Sequence, residues 1–187
     1  MVLTASRLDL AQDFRAPDFN LLGTDNKYYT LQSFPKKILV LIFMCNHCPY
    51  VQAVLPRLNN LAAEFQPKGV QFIGINVNDA TDYPEDSFAK MQAATTGGPQ
   101  AKVRFLYLRD ESQQVAESYR AVCTPDIFVF DQEHRLQYHG RVDDNWQNPG
   151  AVQQEDLREA LVKILQGEKV AASSWQPSLG CSIKWKK

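Results

Sequence analysis

Residues 37–51 read Lys37-Ile38-Leu39-Val40-Leu41-Ile42-Phe43-Met44-Cys45-Asn46-His47-Cys48-Pro49-Tyr50-Val51. An unbroken apolar run between a lysine and a cysteine suits a strand buried on both faces. Pro49 then marks a helix start, because the first helical N–H has no partner in the helix and its loss costs nothing. Val51, Val54, Leu55, Leu58, Leu61, Ala62 and Phe65 follow at helical spacing, and Pro67-Lys68-Gly69 ends the run. Val70 to Val77 is a second apolar strand, so strand–helix–strand predicts a parallel pair joined by a crossover. Both cysteines therefore fall at a strand-to-helix junction.

Upstream, Leu21 to Phe34, with Gly23 and Asp25-Asn26 at turn positions, predicts a short hairpin. Residues 1–16 read as a loosely attached lead-in ahead of Pro17. Downstream, the pattern predicts a helix over Ser87 to Ala94, a strand over Arg104 to Leu108 and a helix over Gln113 to Ala121. Strands over Ile127–Asp131 and Leu136–Val142 follow, then a helix over Glu155–Leu165 capped by Gly167. Residues 169–187 carry no clear period and read as a tail. The expectation is one α/β domain over residues 17–168, a central mixed sheet in three layers with helices on both faces.

At 187 residues the chain is long enough for one well-cored domain. Its 20 basic and 21 acidic residues give a net charge of -1, without the basic excess of a nucleic-acid binder. The first ten residues lack the apolar stretch of a secretory signal. Ile38 to Cys45, the longest apolar run, falls well short of the ~18 residues of a membrane span. These features predict a cytoplasmic protein with no nucleic-acid or membrane partner. They do not set the oligomeric state.

The four cysteines are Cys45, Cys48, Cys123 and Cys181. A close Cys-x-x-Cys with two distant singles points to redox chemistry or a metal site rather than a disulfide framework. At a helix start, unpaired N–H groups and the helix dipole favour an anion and lower a thiol from about 8.5 into the range ~3.5–7.5. Cys45, with its sulfur outward, is the expected nucleophile, and Cys48 the resolving thiol. His47 adds a positive charge or a hydrogen bond between them. Two buried inert cysteines are the plain alternative. A zinc or copper site drawn from Cys45, His47, Cys48 and Cys123 is another, although His47 is oddly placed for a ligand. Cys123 reads equally as a small buried residue or a functional thiol, Cys181 as tail filler or a mobile resolving thiol. His134 reads as a solvated turn residue, and His139 with Gly140 to Asp144 as strand-end structure.

These motifs also carry a resemblance. Cys45 to Val51, Thr124-Pro125-Asp126 before an apolar strand, Tyr138 to Asp144, and Gly180 to Trp185 together resemble the thioredoxin superfamily. Within it, the chain is similar to the redoxin branch of alkyl-hydroperoxide-reductase/thiol-specific-antioxidant-like and cytochrome-maturation-type proteins, from about Phe14 to the C-terminus. The resemblance implies a cis Pro125 facing the cysteine pair, with Thr124 offering its backbone to an extended substrate. Asn46, His47, Pro49, Thr124 and Pro125 would then shape the site, with Cys123 and Cys181 as auxiliary thiols. The sequence departs from thioredoxin in having Leu39 where that protein has a buried aspartate, and Met44 for its tryptophan. The proton acceptor for Cys48 is therefore open, with Glu85 a candidate.

The implied activity is thiol–disulfide exchange at Cys45–Cys48 without a cofactor or metal. The partners would be a disulfide-bearing protein or small molecule and an unidentified electron donor. A thiol peroxidase is the first rival; it places Pro-x-x-x-Thr-x-x-Cys at its site, where this chain has Leu41 and Cys45 ahead of Cys48. A metal-binding or metallochaperone module is the second. A cytosolic pool near -220 to -320 mV would hold an oxidising pair as the dithiol, which favours reduction of an acceptor.

Overall fold

Ile38–Met44 is a strand with every residue buried, Leu39 to Phe43 at 0% exposure. It sits inside the sheet because no position on it needs water. Burying each such side chain contributes about 1.5–3 kcal/mol before entropy is counted. The structure, a computed structural model, describes residues 3–187. In chain order the strands and helices are β1 (Leu3–Ala5), β2 (Leu21–Gly23), β3 (Tyr28–Tyr29), β4 (Ile38–Met44), α1 (Pro49–Phe65), β5 (Val70–Asn76), α2 (Phe88–Thr95), β6 (Leu106–Arg109), α3 (Gln114–Ser118), β7 (Cys123–Thr124), β8 (Asp126–Phe130), β9 (Leu136–Gly140), α4 (Asp156–Leu165) and β10 (Leu179–Ser182).

The main sheet runs β3-β2-β6-β5-β4-β8-β9. β4–β5 and β5–β6 are parallel, joined by crossovers through α1 and α2, while β8 lies antiparallel to β4 and β9 to β8. The predicted mixed α/β sheet flanked by helices is therefore the observed fold. α1 buries Val51, Val54, Leu55, Leu58, Leu61, Ala62 and Phe65, the stripe read from the sequence, together with Asn59. Pro56 lies inside that helix and leaves the Gln52 carbonyl without its helical donor. α3 is shorter than expected, ending at Ser118 before Arg120 turns left-handed at φ 55°.

Both ends of the chain are more ordered than their composition suggests. A second sheet runs β1-β10-β7, so the tail supplies a central strand between the first strand of the chain and the segment before Pro125. Leu10 and Phe19 pack into the core, as do Val170, Trp175 and Ile183 from the tail. No helix among the described residues is long and apolar enough to cross a membrane.

Candidate active site

Cys45 follows the last residue of β4, and Cys48 is the N-cap of α1 with extended backbone. The turn between them is held by a carboxylate that comes from far along the chain. Asp86, 0% exposed, accepts the Asn46 N–H at 2.7 Å through Oδ1. Its Oδ2 lies 2.7 Å from His47 Nδ1 and accepts from Asn78 Nδ2 at 2.8 Å. The Asn46 side chain is fixed as well: its Nδ2 donates to the Glu85 carbonyl at 2.8 Å, and its Oδ1 accepts from the Tyr107 hydroxyl at 3.1 Å. The His47 ring stacks on Tyr83, centroids 5.2 Å apart and planes 6° from parallel.

Across the pair stands a cis Thr124–Pro125 peptide bond. Cys45 Sγ is 3.7 Å from Thr124 Oγ1 and 4.0 Å from His47 Nδ1, and Cys48 Sγ is 3.1 Å from the Thr124 carbonyl oxygen. Asn46, His47, Thr124 and Pro125 therefore gather around the two sulfurs, with Pro49 starting the helix behind them. Cys123 is also buried, its Sγ 3.6 Å from the Pro125 carbonyl oxygen, and Cys181 reaches the pair from β10.

Two expectations change. Cys45 does not face outward: it is 1% exposed and Cys48 is 0% exposed. The thiol with the lowered pKa is Cys48. A hydrogen bond from Cys45 pulls Cys48 down to about 5 against the cost of burial, helped by the Thr124 side chain and the N–H groups of Val51 and Cys181. The nearby Thr124 carbonyl favours the thiol form instead, but one acceptor is outweighed by these donors. Cys45, the donor of that hydrogen bond, is pushed well up by it, by burial and by the Asp86 charge. His47 Nδ1 lies between this sulfur and Asp86, 4.0 Å from the first and 2.7 Å from the second. Burial, with lesser help from the Asp126 charge, pushes the Cys123 thiol up as well.

Glu85 turns away from the sulfurs toward Lys90 at 3.6 Å, with its side chain 65% exposed. The buried acid of the site is its neighbour Asp86. A second was also hidden: Asp126, directly after Pro125, is 2.7 Å from His139 Nε2, and both are sealed in the core. That makes His139 a core partner of Asp126 as well as a strand-end residue. His134 is half-buried at a left-handed turn position, φ 58°. Asp143 and Asp144 do turn the chain, accepting the N–H groups of Asn145 and Gln153.

The metal set weighed from the sequence does not form as a cluster. Among the described residues, the ligand atoms that come within 4.8 Å of one another are those of Cys45, His47 and Asp86. Three ligands are one short of a closed zinc site, and His47 and Asp86 already bond each other. The two hollows beside the pair are modest, about 330 Å³ against His47 and Asn46 and about 70 Å³ between Pro125, Trp146 and the tail. Larger ones, about 600 and 750 Å³, lie elsewhere on the surface and touch neither cysteine.

The Cys-x-x-Cys thus spans the turn from the end of β4 to the N-cap of α1 and faces a cis proline. The model of the AhpC/TSA family matches residues 13–139. The chain belongs to the AhpC/TSA family. Within this AhpC/TSA chain the matched stretch includes Cys45, Cys48 and Pro125, and stops before the tail. The fold is thioredoxin-like: the thioredoxin domain of a thiol-disulfide oxidoreductase from Bacteroides vulgatus superposes with a TM-score of 0.63 at 21% identity, covering 84% of this chain and 99% of that one. An uncharacterized conserved protein from Geobacillus kaustophilus superposes with a TM-score of 0.90 at 39% identity, covering 100% of this chain and 97% of that one. The thiol-disulfide oxidoreductase ResA of Bacillus thuringiensis is 26% identical over 121 residues, 65% of this chain. That match spans 64% of the relative's length, just under two thirds.

Proposed function

We propose that the protein is a thiol–disulfide oxidoreductase that cycles Cys45 and Cys48 between dithiol and disulfide and reduces a disulfide-bearing acceptor. The observation that carries this reading is the hydrogen-bonded sulfur pair at the helix start, opposite Thr124 and Pro125. In the reduced pair one proton is shared. Moving it from Cys45 to Cys48 frees Cys45 to attack the acceptor. The first acceptor sulfur leaves as a thiolate and takes that proton from Cys48, which then attacks Cys45 Sγ and releases the second acceptor sulfur. Once Cys45 is bonded to the acceptor, the Thr124 side chain and the Val51 and Cys181 N–H groups are the donors that still favour the Cys48 thiolate. The proposal includes a reducing compartment, the cytoplasm, where the resting state is the dithiol and electrons flow outward to the acceptor.

Turnover of a model protein disulfide with dithiothreitol tests it. Cys45→Ser should abolish the activity, and full activity in that variant would overturn the assignment. Cys48→Ser should accumulate mixed disulfides, whose mass would identify the acceptor. The family match and the lowered Cys48 favour a second reading, a thiol peroxidase. Rapid peroxide consumption lost only in Cys48→Ser would select it.

A further inference from the structure

The backbone of Thr124, which the site would offer to an extended substrate, is already paired. β10 runs antiparallel to β7, with Cys181 opposite Thr124 and Ser182 opposite Cys123. Gly180 makes this approach feasible: a Cβ there would stand 2.6 Å from the Thr124 carbonyl carbon, 3.2 Å from Pro125 N, and overlap the Thr124 oxygen. Only a residue without a side chain fits flat on that peptide. The strand is then held beyond the site. Ile183 N–H donates to the Val122 carbonyl, Lys184 N–H to Asn78 Oδ1 at 2.9 Å, and Lys186 N–H to Gln113 Oε1 at 2.7 Å.

The side chain that this register delivers is a cysteine. The Cys181 thiol donates a hydrogen bond to the Cys48 sulfur, and the Cys181 N–H donates to the same atom. Cys48 thus has Cys45 on one side and Cys181 on the other. A substrate strand lying antiparallel to the residue before the cis-proline, with its sulfur against the cysteine pair, is the geometry required of an external disulfide substrate.

Building on the oxidoreductase reading, we propose that Cys181 is a third redox thiol: β10 is bound as an internal substrate, and Cys181 exchanges with the Cys45–Cys48 disulfide at Cys48. The Cys181 sulfur attacks Cys48 Sγ, the Cys45–Cys48 bond breaks, and a Cys48–Cys181 bond forms. Cys45 leaves as a thiolate and takes up the proton that Cys181 gives up. No electrons are gained or lost; the two oxidising equivalents, which came from the disulfide-bearing acceptor, move from one pair to the other. Oxidation of the pair also prepares the attacking thiol. In the reduced protein, burial and the Cys48 thiolate hold Cys181 up to about 12. Once Cys48 is in a disulfide its charge is gone, while the favourable charge of Lys184 stays. The product is a closed form, with the tail tied across the Thr124 edge and Cys45 left as a thiol beside His47.

Disulfide mapping of the full chain tests the exchange. Protein oxidised with diamide, acid-quenched, alkylated and digested should yield both Cys45–Cys48 and Cys48–Cys181 linked peptides. Cys181→Ser should yield the Cys45–Cys48 link alone, and Cys45→Ser the Cys48–Cys181 link alone. A wild-type map with Cys45–Cys48 linked and Cys181 fully alkylated overturns the inference and leaves the oxidoreductase reading standing. A Cys48–Cys123 link in Cys45→Ser also overturns it. A wild-type map with neither a Cys45–Cys48 nor a Cys48–Cys181 link overturns the oxidoreductase reading itself. Should a variant fold poorly, the wild-type map still decides.

Discussion

Two histidine–aspartate pairs flank the sulfurs, and each has the same nitrogen–oxygen distance, 2.7 Å. His47–Asp86 lies beside Cys45, with the His47 side chain 20% exposed and stacked on Tyr83. His139–Asp126 lies behind the cis-proline, at 1% and 0% exposure, its imidazole stacked on Phe128 at 4.0 Å. Distance therefore says nothing of role. The first pair touches the Cys45 sulfur and reaches water. The second is cut off from both and acts through packing. Asp86 also has Asn46 and Asn78 as donors, whereas Asp126 adds the backbone N–H groups of Ile127 and, at a long 3.4 Å, of Val122.

The largest test of that contrast is Asp126→Ala, which strands a buried histidine. We expect a loss of about 3–5 kcal/mol in urea unfolding. A loss below ~1 kcal/mol would remove the distinction between the pairs.

The pH dependence of stability comes next. Cys48 is near 5 when folded and about 8.5 when unfolded, so its contribution is complete above ~8.5 and is lost as pH falls toward 5. The urea midpoint of the reduced protein should fall over that window, and Cys48→Ser should flatten the slope. Asp126 acts in the opposite sense. Burial, partly offset by His139, raises its carboxyl, so its contribution is complete below about 3.9 and is lost as pH rises through the folded value.

His47→Ala should cost only about 0.5–1.5 kcal/mol, because Asp86 keeps its other donors. Its effect belongs in the chemistry: with Asp86 unopposed, the Cys45 thiolate is harder to form. Disulfide reduction at pH 7 should slow roughly tenfold, the equivalent of about one pKa unit, and recover as pH rises. An unchanged rate would place both pairs in the structural class. The smallest effect is expected of Glu85→Gln. Its exposed contact with Lys90 contributes less than about 1 kcal/mol, and neither rate nor pH profile should move.

The contrast between legible and hidden features follows the length scale of the forces. β4, α1 and β5 were readable because their burial leaves a local period in the sequence, and the Cys45–Cys48 junction came with them. Asp86 left no such trace. It lies in a Pro84-Glu85-Asp86 turn, and only the folding of that loop under the Cys-x-x-Cys turn distinguishes it from exposed Glu85. β10 was hidden for a related reason: Leu-Gly-Cys-Ser has no alternation, and its order comes from partners at Leu3–Ala5 and Cys123–Thr124. Which sulfur is lowered is not legible in the motif, because a helix start predicts one anion but not which sulfur receives the donors.

The small sheet clamps its middle strand on both edges. β10 shares three residue pairs with β1, where Ser6 and Ser178 add two further bonds. On the other edge it shares two pairs with β7, and bonds from Ile183 to Val122, Lys184 to Asn78 and Lys186 to Gln113 carry the seam on past Thr124. The two ends of the described chain are in that sense a wall of the cysteine site, not an appendage to it.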